Sequence, residues 1–193
     1  ENRHAVGQSV FESFMRLTNL STNGKRVTVF GYGACGKGVA ACFRNAFSIV
    51  SVVETDPVAR LEAMLDGYLV PDREEALRTA DVVVTVTGAK GVVTGADEPL
   101  LKDGAVLANA GHFPWEIEGI ASGRVTLLEA GHMVNLAGPR PLGNSIESMD
   151  LGFALQTRCL EAVARGEVGS ESCVVPVPRA IDESVAAAFV ALP

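Results

Sequence analysis

Apolar residues recur at helical spacing at the start of the chain, then in short blocks separated by polar and glycine-rich breaks. Val6, Val10, Phe14 and Leu17 predict an amphipathic helix over residues 5–19. "STNG" ends it, and "RVTVFG" predicts a short buried strand running into glycines. Residues 34–46 follow as a helix of small residues, and "SIVSVVE" as a second strand. "TDPVARLEAML" has a helix start built in, with Asp56 as N-cap and Pro57 at the first helical position. The pattern then predicts a short strand in "GYLV", a helix in "DREEALRTA" and a β-branched strand in "DVVVTVTG". A helical turn near 94–101 and a strand in "GAVLANAG" complete the regular part. Beyond Gly111 the rhythm changes. "RVTLLEAGHMVNLAG" predicts one or two strands, residues 146–165 a longer helix, and "VVPVPRAIDESVAAAFVA" a proline-rich crossing and a terminal helix.

Strands alternating with helices of about ten residues predict an α/β fold with a doubly wound parallel sheet. Composition agrees: 48% hydrophobic residues, 20% charged and a mean hydropathy of +0.25 suit strands buried on both faces. The apolar blocks are too short and too often interrupted to span a bilayer, so no membrane partner is expected. A net charge of −7 with no basic stripe argues against nucleic acid. Cys35, Cys42, Cys159 and Cys173 are scattered, predicting neither a metal site nor a disulfide framework and favouring a reducing cytoplasm. The chain begins at Glu1 without a methionine, a signal-like start or an apolar leader, and is expected to be a fragment.

The chemistry concentrates in "VFGYGACGKGVA". Gly31, Gly33 and Gly36 give G-x-G-x-x-G, the turn that sets a dinucleotide's pyrophosphate on a helix N-terminus. The same letters read from Gly31 to Lys37 imitate a triphosphate loop, but that loop needs a hydroxyl after its lysine to ligate Mg²⁺, and here stands Gly38. The dinucleotide turn demands an acid at the end of the next strand, about 20 residues on, for the adenine ribose. Glu54 closes "SIVSVVE" 18 positions after Gly36. Its charge also repels a 2′-phosphate, so NAD is expected rather than NADP. The bland alternative is a tight turn in a sheet that binds nothing, and Lys37 reads as a solvated first-turn residue.

Around this loop the chain resembles the NAD-binding domain of the S-adenosylhomocysteine hydrolases. "GYGACGKGVA" is similar to that family's GYGDVGKG turn, and "ETDPVARLEAMLDGYLV" to its E-x-DP…A…GY-x-V segment. "TVTG", "NAGHFPWEI", "HMVNLAG" and "PRAIDESVAAA" resemble its TTTG, N-x-GHF-x-x-EI, LVNL and PKxLDExVA. The similarity runs from Asn2 to about Ala188. It implies a Rossmann-type domain whose tightly held NAD oxidises the ribose 3′-hydroxyl of a nucleoside, so that homocysteine can be eliminated and water added before the ketone is reduced again. It further implies Gly31, Gly33 and Gly36 at the pyrophosphate and Glu54 at the adenosine ribose. Thr85, Thr87 and Gly88 would line the cofactor. Asn109, Gly111 and His112 would lie at the nicotinamide and substrate end, and Asn135 would hold the carboxamide. Asn2 and His112 are the candidate catalytic residues, His112 as a proton carrier beside a ribose hydroxyl.

On this reading residues 1–193 form one NAD-binding domain with an N-terminal helix and a C-terminal helical crossing segment, and the family's substrate domain is absent from the chain. A small nucleoside substrate and a homo-oligomer are implied as partners. The cofactor half is well kept and the substrate half altered. Val6 stands for a cysteine, Ala34 for the acid of the glycine turn, Ala59 for an asparagine, and Asn144 in "NLAGPRPLGNS" for a gate histidine. Two alternatives remain open at this point. One is a non-catalytic NAD-binding module. The other, a 2-hydroxy-acid dehydrogenase, would need an arginine and a Glu–His pair that do not stand out. His4, His132 and Trp115 read as surface, structural and packing residues, the carboxylates of "DREEAL" as a solvated first turn, and Cys35 as a small apolar residue facing the sheet.

Overall fold

A computed structural model describes residues 2–169 and 174–192; Cys173 lies outside the described residues. The chain falls into two compact units, one formed by Asn2–Gly143 and the other by the segment from Asn144 onward.

In the first unit α1 (Ala5–Thr18) leads into β1 (Arg26–Phe30), α2 (Ala34–Asn45), β2 (Ile49–Val53) and α3 (Pro57–Leu65). Then come α4 (Arg73–Thr79), β3 (Val82–Thr85), β4 (Val93–Thr94), β5 (Val106–Asn109), β6 (Ile117–Glu118) and β7 (Thr126–Leu127), with 3₁₀ turns at Gly95–Leu100, Pro114–Glu116 and Leu128–Gly131. The main sheet is parallel throughout in the order β2-β1-β3-β5-β7. Every residue of β3 and β5 is buried, which is why those strands read as continuous β-branched and small apolar runs rather than alternating ones. β1 lies between β2 and β3, so the chain reverses its winding direction there. Open α/β sheets bind ligands at this switch point, outside the strands' carboxyl ends.

The "GYLV" strand shrinks to one parallel bridge, Ser51 to Leu69, held by Val52 N–H on the Leu69 carbonyl at 2.8 Å. Tyr68 N–H is spent on Ala63 O at the end of α3, and Pro71 has no N–H to offer, so little backbone is left for a ladder. With Leu69 counted, the sheet keeps the strand order of a dinucleotide-binding fold. "RVTLLEAGHMVNLAG" also departs from a continuous strand. β7 stops after two residues, Glu129 and Ala130 take left-handed φ of 46° and 50°, and pairing resumes only at Met133 opposite Asn109. That kink leaves His132 exposed, outside any strand. The two-residue pair β4–β6 has no counterpart in the sequence pattern, being too short to show a period.

Two core clusters flank the sheet. One holds Val10, Phe14, Val29, Val39 and Phe43, the other Leu77, Val83, Val93 and Leu107. α1 and α2 approach closely because neither carries a Cβ at the crossing: a methyl on Gly7 would collide with the backbone of Gly38, and one on Gly38 with the Arg3 carbonyl. Cys35 packs against the first cluster, half-buried.

The second unit is a helix pair. α5 (Ile146–Ala164) starts at Ser145, whose hydroxyl accepts Ser148 N–H, and packs through Ala162 on Ile181 and Val185 of α6 (Arg179–Val190). Among the described residues no helix is long and apolar enough to cross a membrane.

Candidate functional site

The glycine turn is shaped by three different demands. Gly31 has φ +102°, in the region that side chains disfavour, and its N–H reaches Val53 O at 2.9 Å. A Cβ on Gly36 would collide with the Gly31 carbonyl, so strand and helix can meet only over a bare Cα. Gly33 is the N-cap of α2, has open space where a Cβ would stand and offers no capping side chain. The first-turn N–H groups of α2 therefore point out with no side-chain cap, as an anion site at a helix N-terminus requires. Lys37 takes no part; its ammonium is paired with Glu62 at 2.8 Å.

Glu54 stands beside this turn, half-buried at the end of β2. Its Oε2 accepts Tyr32 N–H at 2.7 Å, and its Oε1 accepts the N–H groups of Thr55 at 2.6 Å and Asp56 at 3.0 Å. Burial pushes its carboxyl up, but the N–H groups of Asp56, Tyr32 and Thr55 outweigh this and hold it below the usual carboxylate range. At neutral pH Glu54 is thus ionised and an acceptor only. Among the described residues Oε2 receives a single hydrogen bond, and it has capacity for a further donor. A cleft of about 520 Å³ opens here, walled by Gly31, Gly33, Glu54, Arg73, Thr87 and Lys90.

The loop after β3 is held from below by a residue the sequence reading passed over. Glu116 is 0% exposed, and its Oε2 accepts both the N–H and the hydroxyl of Thr87 at 3.0 Å, while Oε1 accepts Gly88 N–H at 2.6 Å. Gly88 has φ +73°. A Cβ on Gly111 would collide with this carboxylate, so Gly111 is glycine to make room for Glu116. The signal lay within "NAGHFPWEI", but nothing local distinguishes Glu116 from a surface acid.

Thr85 and Asn109 sit side by side, both 0% exposed. Asn109 donates through Nδ2 to Phe113 O and Gly131 O, both at 2.8 Å, and accepts through Oδ1 from Gly111 N–H at 2.7 Å and the Thr85 hydroxyl at 3.2 Å. All four positions of the amide are filled, so Asn109 ties three segments together rather than presenting a hydrogen bond outward. His112 is exposed and meets Phe113 edge-on at 4.7 Å, and Phe113 stacks on Trp115. Asn2 is exposed just ahead of α1.

Asn135 is different. It is 2% exposed, its Nδ2 donates to Ser9 Oγ at 2.9 Å, and its Oδ1 has no partner among the described residues. A buried acceptor without a donor costs about 1–3 kcal/mol, which a ligand N–H would recover.

The family model described as the S-adenosyl-L-homocysteine hydrolase NAD binding domain matches residues 2–132. The chain belongs to this family. It is 40% identical over 208 residues to an adenosylhomocysteinase of Thermococcus kodakarensis and 37% identical over 209 residues to an S-inosyl-L-homocysteine hydrolase of Methanopyrus kandleri. Each alignment covers 96% of this chain and 49% of the relative, so the chain spans about half the length of the curated relatives it matches. Among solved structures, a glyoxylate reductase from Paecilomyes thermophila shares the fold at a TM-score of 0.56 and 13% identity, covering 86% of this chain and 63% of that one. A transhydrogenase from Sinorhizobium meliloti does so at 0.59 and 18%, covering 69% of this chain and 47% of that one. The fold is Rossmann-like and the cofactor of the domain is NAD. The residues present fit that group: a bare helix N-terminus at Gly33, an ionised acceptor at Glu54 and an orphaned buried acceptor at Asn135.

Proposed function

We propose that the domain presents NAD to the ribose of an S-nucleosyl-homocysteine or a related nucleoside, for oxidation of a ribose hydroxyl. The two relatives named above differ in the base, adenosyl or inosyl, and share the ribose and homocysteine. When bound, NAD supplies a hydride acceptor. The α2 N-terminus holds the pyrophosphate, and Glu54 accepts from a hydroxyl of the adenosine ribose. Asn135 accepts an N–H of the carboxamide and so sets which face of the nicotinamide is offered. Thr85 and Asn109 act one step back, tying the strand ends on which Thr87, Gly88 and Gly111 shape the wall. In this reading His112, exposed beyond β5, carries the proton of the reacting hydroxyl, and Asn2 adds a polar contact. The remaining substrate groups belong to the half of the relatives' length that this chain does not span. A homo-oligomer working in the cytoplasm is part of the same reading, supported by the resemblance and by the scattered cysteines.

The unpartnered Oδ1 of Asn135 carries this proposal. Asn135→Ala is expected to weaken NAD by about 1 kcal/mol, the worth of one hydrogen bond, and to leave ADP-ribose, which lacks the carboxamide, unchanged. Calorimetric titration with both ligands tests it; equal losses for the two would remove Asn135 from the nicotinamide. Glu54→Ala is expected to weaken NAD by roughly 1–3 kcal/mol and to improve NADP relative to NAD, because an ionised acceptor is lost and with it the repulsion of a 2′-phosphate. An unchanged NAD/NADP ratio, measured in the same titrations, would mean that Glu54 is not the ribose ligand. If NAD binds as expected but a nucleoside never reduces it in the full-length protein, the domain is a binding module without turnover.

A further inference from the structure

Arg73 does not belong to the glycine turn, the acid or the nicotinamide end, yet its side chain forms part of the wall of the same cleft as Glu54 and Gly31. It is held there by three hydrogen bonds. Nη1 and Nη2 make a two-pronged pair with the carboxylate of Asp97 at 2.8 and 2.7 Å, and Nη2 also donates to Val92 O at 2.9 Å. Asp97 is itself 8% exposed and fixed by Thr94, accepting its N–H at 2.8 Å and its hydroxyl at 3.2 Å. The guanidinium is therefore clamped along one edge, its charge is met by Asp97, and its side chain is still 44% exposed.

A clamped guanidinium offers a ligand two things, its charge and its flat face. The charge is already paired, so recognition of a 2′-phosphate is a poor use of it. Glu54 in the same cleft would oppose such a phosphate as well. The flat face remains, and a planar cation stacks on an aromatic ring. Given NAD with its ribose at Glu54, the purine is the only aromatic group that can reach this end of the cleft. We propose that Arg73 is the platform on which the adenine of NAD lies, with Asp97 and Val92 O holding the platform level. This rests on the placement of NAD proposed above and adds a specificity residue to it: the site would prefer dinucleotides with a large flat base at the adenine position.

The test is calorimetric titration of the protein and its variants with NAD, ADP-ribose and nicotinamide mononucleotide, which has no adenine. Arg73→Lys keeps a cation for Asp97 but removes the plane. It is expected to lose about tenfold in affinity for both NAD and ADP-ribose, with nicotinamide mononucleotide unchanged. The double variant Arg73→Leu, Asp97→Asn removes both charges together, avoids stranding a buried carboxylate, and is expected to show the same selective loss. Wild-type protein that binds ADP-ribose while both variants bind it within twofold of wild type would overturn the platform and leave the NAD site standing. Wild-type protein that binds none of the three ligands would overturn the NAD placement and the platform together. A loss that falls equally on nicotinamide mononucleotide would mean that Arg73 acts on the whole cleft rather than on the adenine.

Discussion

Glu116→Ala is expected to lower the melting temperature by roughly 6–12 °C. Glu116 accepts two backbone N–H groups and a hydroxyl from Thr87 and Gly88 while fully buried. Truncation strands those donors over a cavity, at about 1–3 kcal/mol each for the two N–H groups, or about 3 kcal/mol after partial rescue by water. A chain of this size converts each kcal/mol into about 2–4 °C. Glu116→Gln should fall between the two. Its amide has one acceptor oxygen and one donor nitrogen, so it can serve Thr87 or Gly88 but turns a donor against the other. Thermal unfolding followed by far-ultraviolet circular dichroism gives both values. A fall below about 2 °C for the alanine variant would show that water replaces the carboxylate and that the loop needs no support from beneath.

Gly36→Ala should damage binding and fold together, whereas Gly33→Ala should damage binding alone. The new methyl at 36 would meet the Gly31 carbonyl; a Cβ has no rotamer and the carbonyl is backbone, so neither can turn aside. Helix α2 must move away from β1, at about 1–3 kcal/mol of overpacking. That movement carries the first-turn N–H groups off the pyrophosphate, and NAD affinity is expected to drop by roughly a hundredfold or more. At Gly33 a Cβ meets nothing in the protein. Gly33→Ala should therefore melt within about 2 °C of wild type and still bind NAD more weakly, because the methyl occupies space that a phosphate approaches. Melting curves and NAD titrations on the two variants separate the effects. Unchanged NAD affinity in Gly33→Ala would mean that the pyrophosphate does not sit over this residue.

The alternation of parallel strands and helices, the position of the glycine turn and the acid 18 residues after Gly36 can be read from the order of the amino acids alone. These features are legible because each is written locally. Buried parallel strands need unbroken apolar runs, a strand-to-helix turn needs glycines at fixed offsets, and Asp56 caps α3 through the N–H groups of its own next turn. The remaining features depend on partners far apart in the chain. Glu116 reaches back 29 and 28 positions to Thr87 and Gly88, and Asp97 pairs with Arg73 across 24. The same long-range closure spends the amide of Asn109 entirely on protein and, among the described residues, leaves Oδ1 of Asn135 with no partner. In the sequence the two asparagines are the same letter at the end of an apolar run. Only the packing around each separates an amide whose hydrogen bonds are all met from one with an unmet buried acceptor.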